Sequence, residues 1–161
     1  MRPLRSTHAA GSPKSMLVYD RWGEFGRPVL LLHGLLHDRT VWWPLAADLI
    51  AVASCTVIAP DLPGHGLSPA RDGCPVEGLA RDLDRLVGGL GLLRAPIVVG
   101  HGASAALAMA FADAYATRCV LTFDEDQQGI EDAVLRSVGR SGSMLHLTDP
   151  QGFAAEIRTL L

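Results

Sequence analysis

The sequence predicts an α/β domain built around a mostly parallel sheet. Two observations lead there. Four short, continuous apolar runs recur along the chain, and runs of this length suit strands covered on both faces. The segments between them carry apolar residues at helical spacing, which is the alternation expected of right-handed strand–helix–strand crossovers. Composition agrees: 48% of the 161 residues are hydrophobic and 19% are charged, enough for one real core and against global disorder.

Taken in order, residues 1–15 (MRPLRSTHAAGSPKS) hold Arg2, Arg5 and Lys14 among small and polar residues. They lack the apolar stretch of a secretory signal and read as a flexible N-terminal arm. The domain is then expected to fill residues 16–161. SMLVYDRWG alternates and fits an edge strand. The buried strands are expected at Pro28 to Leu32, Cys55 to Ala59, Ala95 to Val99 and Cys119 to Phe123.

Asp38 is placed to cap a helix carrying Val41, Trp42, Leu45 and Leu49. Of the adjacent pair Trp42 and Trp43, one faces the core and the other faces solvent or a cleft. Val76, Leu79, Leu83, Leu86, Val87 and Leu90 form one apolar helical face. ASAALAMAFADAYA reads as a helix of small residues that can approach a sheet closely. Asp149-Pro150 supplies an N-cap and a first-turn proline, and Phe153, Ile157 and Leu161 follow as a four-spaced stripe.

The net charge of -3 gives no footprint for nucleic acid, and no apolar run is long enough to span a membrane. Cys55, Cys74 and Cys119 are scattered without metal or redox spacing. They are expected to be free thiols of a reducing, cytoplasmic compartment. A metal set of His33, His37 and His101 has no support in the spacing, so neither metal nor cofactor is expected.

Four stretches, taken together, resemble the α/β-hydrolase-fold superfamily. LLHGLLHDRTVWWPLAADL is similar to its oxyanion loop and first helix. VIAPDLPGHGLS resembles the exit of its fourth strand, and IVVGHGASAALAMAFA its nucleophile elbow and following helix. GRSGSMLHLTDPQGFAAEI resembles the segment that carries its catalytic histidine. The resemblance covers residues 16–124 and 133–161 and implies a three-layer, mostly parallel sheet.

Carried over residue by residue, the resemblance implies altered chemistry. The elbow pattern G-x-S-x-G reads Gly100-His101-Gly102-Ala103-Ser104, so glycine stands at the nucleophile position. The position of the general base falls on Ser143, whose hydroxyl does not titrate near neutral pH. His146, three residues on, is either a structural histidine or a substitute base. His101 either packs beneath the elbow or serves a non-covalent reaction. Asp124 is the best candidate for the acid, with a solvated loop as the other reading. The oxyanion donors implied are the backbone N–H groups of Leu35 and Ala103, which survive the loss of serine. Ser104 is expected to point into the helix packing.

The interval from Asp124 to Ser143 is too short for the family's cap domain and seventh strand, so both are expected to be missing. That would leave either a direct pairing of the sixth and eighth strands or an open sheet edge, and an open edge invites a homodimer by strand addition. Two functions remain open at this stage. One is a non-hydrolytic binding or interaction module, or remnant, for a small apolar or ester-like ligand; the pattern resembles the N-myc-downstream-regulated proteins, which keep the fold with a glycine-rich elbow in place of the serine. The other is a non-covalent catalyst, an ester hydrolase by activated water or a lyase, isomerase or cyclase, using the oxyanion donors and a nearby histidine.

Overall fold

The computed structural model describes residues 4–123 and 150–161. In chain order these form β1 (Ser6–Ala10), β2 (Leu17–Trp22), β3 (Arg27–Leu32), a 3₁₀ turn (Arg39–Trp42), α1 (Trp43–Val52), β4 (Cys55–Pro60), α2 (Val76–Gly89), β5 (Ile97–His101), α3 (Ser104–Ala114), β6 (Cys119–Phe123) and α4 (Pro150–Arg158). Among the described residues the strands make one sheet in the order β1-β2-β4-β3-β5-β6. β1 and β2 are antiparallel to their neighbours, and β4, β3, β5 and β6 run parallel.

The continuous apolar runs follow from helices on both faces. In β3, Val29 and Leu31 face one layer while Leu30 and Leu32 face the other. The same parity divides β4 and β5. Val57, Ala59, Ile97 and Val99 join the core under α1 and α4, and Ile58 and Val98 join the core under α2 and α3. With both faces dry, apolar residues fill most positions, and the buried Thr56 of β4 donates its hydroxyl to the Phe25 carbonyl at 3.1 Å.

The predicted helices fall into place with small shifts at their ends. The Asp38 carboxylate accepts from the Thr40 amide at 2.8 Å, but it caps the 3₁₀ turn that leads into α1. Trp42 is fully buried and Trp43 is exposed. Phe153 and Ile157 of α4 are buried against α1 and the sheet, with Leu161 packed at the margin. Asp149, the expected cap of α4, lies outside the described residues.

Two expectations need correction. Residues 1–15 contain β1, which pairs with β2 in register Ser6↔Arg21 to Ala10↔Leu17, so this stretch is not wholly a flexible arm. β1 exposes nearly all its side chains, and its strand character comes from pairing with β2. β2 is consequently an interior strand. Its polar Asp20 is fully buried, accepting from Thr7 Oγ1 at 2.6 Å and Trp43 Nε1 at 2.8 Å, with the Arg39 guanidinium at 3.1 Å.

The expected loss of the cap and seventh strand falls on residues 124–149, outside the described residues. β6 pairs with β5, and the proposed open edge rests on that same undescribed stretch. Among the described residues no helix is long and apolar enough to cross a membrane.

Candidate active site

Three loops meet at the carboxyl ends of β3, β4 and β5, the end at which open α/β sheets bind ligands. The first follows β3 as His33-Gly34-Leu35-Leu36-His37 and turns through a bond from His37 N to Gly34 O. Leu36 holds a left-handed backbone there, φ 63°, unusual for a residue with a side chain. The second, Asp61 to Ser68, follows β4. The third is the turn from β5 into α3.

Gly102 sits at the apex of that third turn with φ 57°, a left-handed conformation that glycine adopts without steric cost. The turn is tight on its inner side. A Cβ at Gly100 would lie 2.6 Å from the Ser104 carbonyl oxygen and 2.9 Å from the Ala108 side chain. Glycine, with no side chain, thus stands at the left-handed apex of this turn.

His33 ties the three loops together. Its Nε2 accepts from the Leu62 amide at 3.0 Å. Nδ1 lies 2.9 Å from the Gly34 carbonyl oxygen, which can only accept, so Nδ1 carries the proton. Its own carbonyl accepts from Ser104 Oγ at 2.5 Å. Burial holds the His33 imidazole below its ordinary range; the Gly34 bond opposes this and neighbouring His65 adds to it. His33 is a neutral fastener with both ring nitrogens occupied.

Asp61 fixes the second loop in the same way. Fully buried, it accepts from the amides of Arg39 and Leu67, each at 2.8 Å, and from the Arg39 guanidinium at 2.6 Å.

The loops enclose an open, mostly apolar cavity of about 340 Å³. Leu35 and Ala103 both line it, and among the described residues neither amide is engaged by a hydrogen bond. Leu62, Val76, Leu79 and Leu107 supply apolar wall. His65, Arg71 and Cys74 add polar groups. Arg71 is spoken for: its guanidinium bonds Asp82 and the Ser15 carbonyl, each at 2.5 Å.

The candidate residues divide accordingly. Gly102, Leu35 and Ala103 come together at the elbow and the cavity wall. Ser104 is buried, and its Oγ donates to the His33 carbonyl. His101 is fully buried, its ring 5.6 Å from that of His37, and neither ring is part of the cavity wall. Asp124, Ser143 and His146 lie outside the described residues. Among the described residues no cluster of three or more His, Cys, Asp or Glu is placed to hold a metal ion.

Sequence reasoning passed over His65, the histidine between two loop glycines in PGHGLS. Its position just past a strand's carboxyl end was a legible signal.

An elbow from a parallel strand into a helix, a mostly apolar cavity beside it and this strand order define the protein as an α/β-hydrolase-type domain. The sequence profile described as the alpha/beta hydrolase family matches residues 29–155, most of the chain, and the protein belongs to that family. It is 34% identical to protein phosphatase methylesterase 1 of Bos taurus over 91 residues, covering 54% of this chain and 24% of the bovine protein. It shares the fold of epoxide hydrolase A from Mycobacterium thermoresistibile, with TM-score 0.67, 23% identity and coverage of 74% of this chain and 39% of that one. It also shares the fold of a thioesterase domain from the curacin biosynthetic pathway, with TM-score 0.65, 23% identity and coverage of 84% and 52%. The chain thus spans about a quarter of the length of the curated relative.

Proposed function

We propose that this domain binds a small, mainly apolar molecule ending in a carbonyl or carboxylate, and forms no serine acyl-enzyme. The observation that carries the reading is Gly102, which holds the elbow's left-handed apex and offers no attacking atom. Two further features support it. Leu35 and Ala103 line one cavity, and backbone amides turned into such a site hold negative oxygen. The apolar wall suits a short hydrocarbon chain beside that oxygen. Similarity to a protein phosphatase methylesterase and to the fold of a thioesterase domain supports an ester-like ligand class.

The test is labelling with a fluorophosphonate probe, followed by mass spectrometry, on wild type, Gly102→Ser and Gly102→Ser/Ser143→His. Wild type is expected to stay unlabelled and the double variant to gain an adduct at position 102. An adduct on any wild-type serine would overturn the reading and identify the nucleophile.

A further inference from the structure

We propose that His65 is a general base for the cavity, activating water against a bound ester. This rests on the reading that the cavity holds a carbonyl oxygen at Leu35 and Ala103. Nδ1 of His65 lies 3.1 Å from the Pro63 carbonyl oxygen. A carbonyl only accepts, so Nδ1 carries the proton and Nε2 carries the lone pair of the neutral ring. Among the described residues nothing bonds Nε2, and His65 is part of the cavity wall.

The other described histidines are placed differently. His33 spends both nitrogens on the loops, with its ring centroid 5.0 Å from that of His65. His37 and His101 stand outside the wall. His8 lies on β1, bonded to Ser6.

The step balances without a covalent intermediate. Water oxygen bonds to the ester carbonyl carbon while His65 Nε2 takes one water proton. The carbonyl π pair moves to oxygen, held by the two amides. When the carbonyl re-forms, the bond to the leaving oxygen breaks, and His65 returns its proton to that oxygen. The products are the carboxylic acid and the alcohol. General bases of this kind typically contribute about 100-fold or more.

The experiment uses p-nitrophenyl butyrate turnover in wild type, His65→Gln, His65→Ala and the remote control His8→Gln. Butyrate protection of Cys74 from maleimide, read in parallel, reports occupancy of the cavity. The expected result is saturable turnover without a burst, slowed in heavy water. Turnover should fall about 100-fold in His65→Gln with KM little changed, recover in His65→Ala on adding imidazole, and stay level in His8→Gln. Butyrate should shield Cys74 in every variant. Shielding with equal turnover in wild type and His65→Gln would overturn the base and leave the binding reading standing. A burst, an acyl adduct on His65, or wild-type turnover no faster than free imidazole would also overturn it. Absence of shielding in folded wild type would remove the binding reading itself. The heavy-water measurement needs no variant and holds the proposal open to refutation if either substitution unfolds the protein.

Discussion

Ser104 and His33 show how single residues hold the elbow in register with its neighbours. The Ser104 hydroxyl bonds the His33 carbonyl, and the His33 ring bonds the β4 exit loop through Leu62. Ser104→Ala leaves a buried carbonyl without its donor and is expected to cost about 1–3 kcal/mol, read from urea unfolding. No measurable loss would mean that the carbonyl finds another partner. The His33 ring also predicts a pH dependence. Burial lowers its folded pKa, so the native ring stays neutral where the unfolded chain takes up a proton, from about pH 6.5 downward. Its contribution to stability is complete above that value and is lost as pH falls toward the folded pKa. The urea midpoint should therefore drop between about pH 7 and about pH 5, and His33→Gln should drop less steeply. Equal slopes in the two proteins would contradict this. At this scale the tight turn at Gly102 was legible, because a glycine in the elbow motif is visible in one line of sequence. The tautomer of His65 was not, because it depends on a carbonyl that only the folded loop brings near.

β3, β4 and β5 were legible because both of their faces are dry and their runs are almost continuously apolar. β1 was not legible for the complementary reason. Ser6–Ala10 is small, polar and exposed, and it becomes a strand only through its ladder with β2. β2 was misplaced at the edge because Asp20 gives it an alternating pattern. The alternation reflects a buried carboxylate satisfied by Thr7, Trp43 and Arg39, not a wet face. Arg5 strengthens the same corner by lying 3.7 Å over the Trp43 ring. The α4 stripe was legible from its spacing, and it seals the layer opposite the cavity. Phe153→Ala should cost about 3–5 kcal/mol in chemical denaturation, since the ring is buried in the core shared with α1. A change near zero would mean that α4 contributes little to the stability of that core.

Across the whole molecule, the thiols report which surfaces are open. Burial pushes the Cys55 thiol up to about 12, and burial also raises Cys119 against the lowering influence of Arg118 and Arg27. Cys74 is half-exposed on the cavity wall. A maleimide should therefore modify Cys74 first in the native protein, with the other two reacting on unfolding. Rapid native labelling of Cys55 would show that the sheet opens readily on the side of α1.

We propose that one cavity turns the amides of Leu35 and Ala103 toward a ligand oxygen while Gly102 offers no attacking atom. The most direct measurement is a titration of the isotope-labelled protein with butyrate, following backbone amides by nuclear magnetic resonance. The Leu35 and Ala103 amide protons should move downfield together and saturate, as donors do on gaining a charged acceptor, while amides of β1 stay in place. Movement of neither resonance, in a protein whose spectrum shows it folded, would contradict the claim.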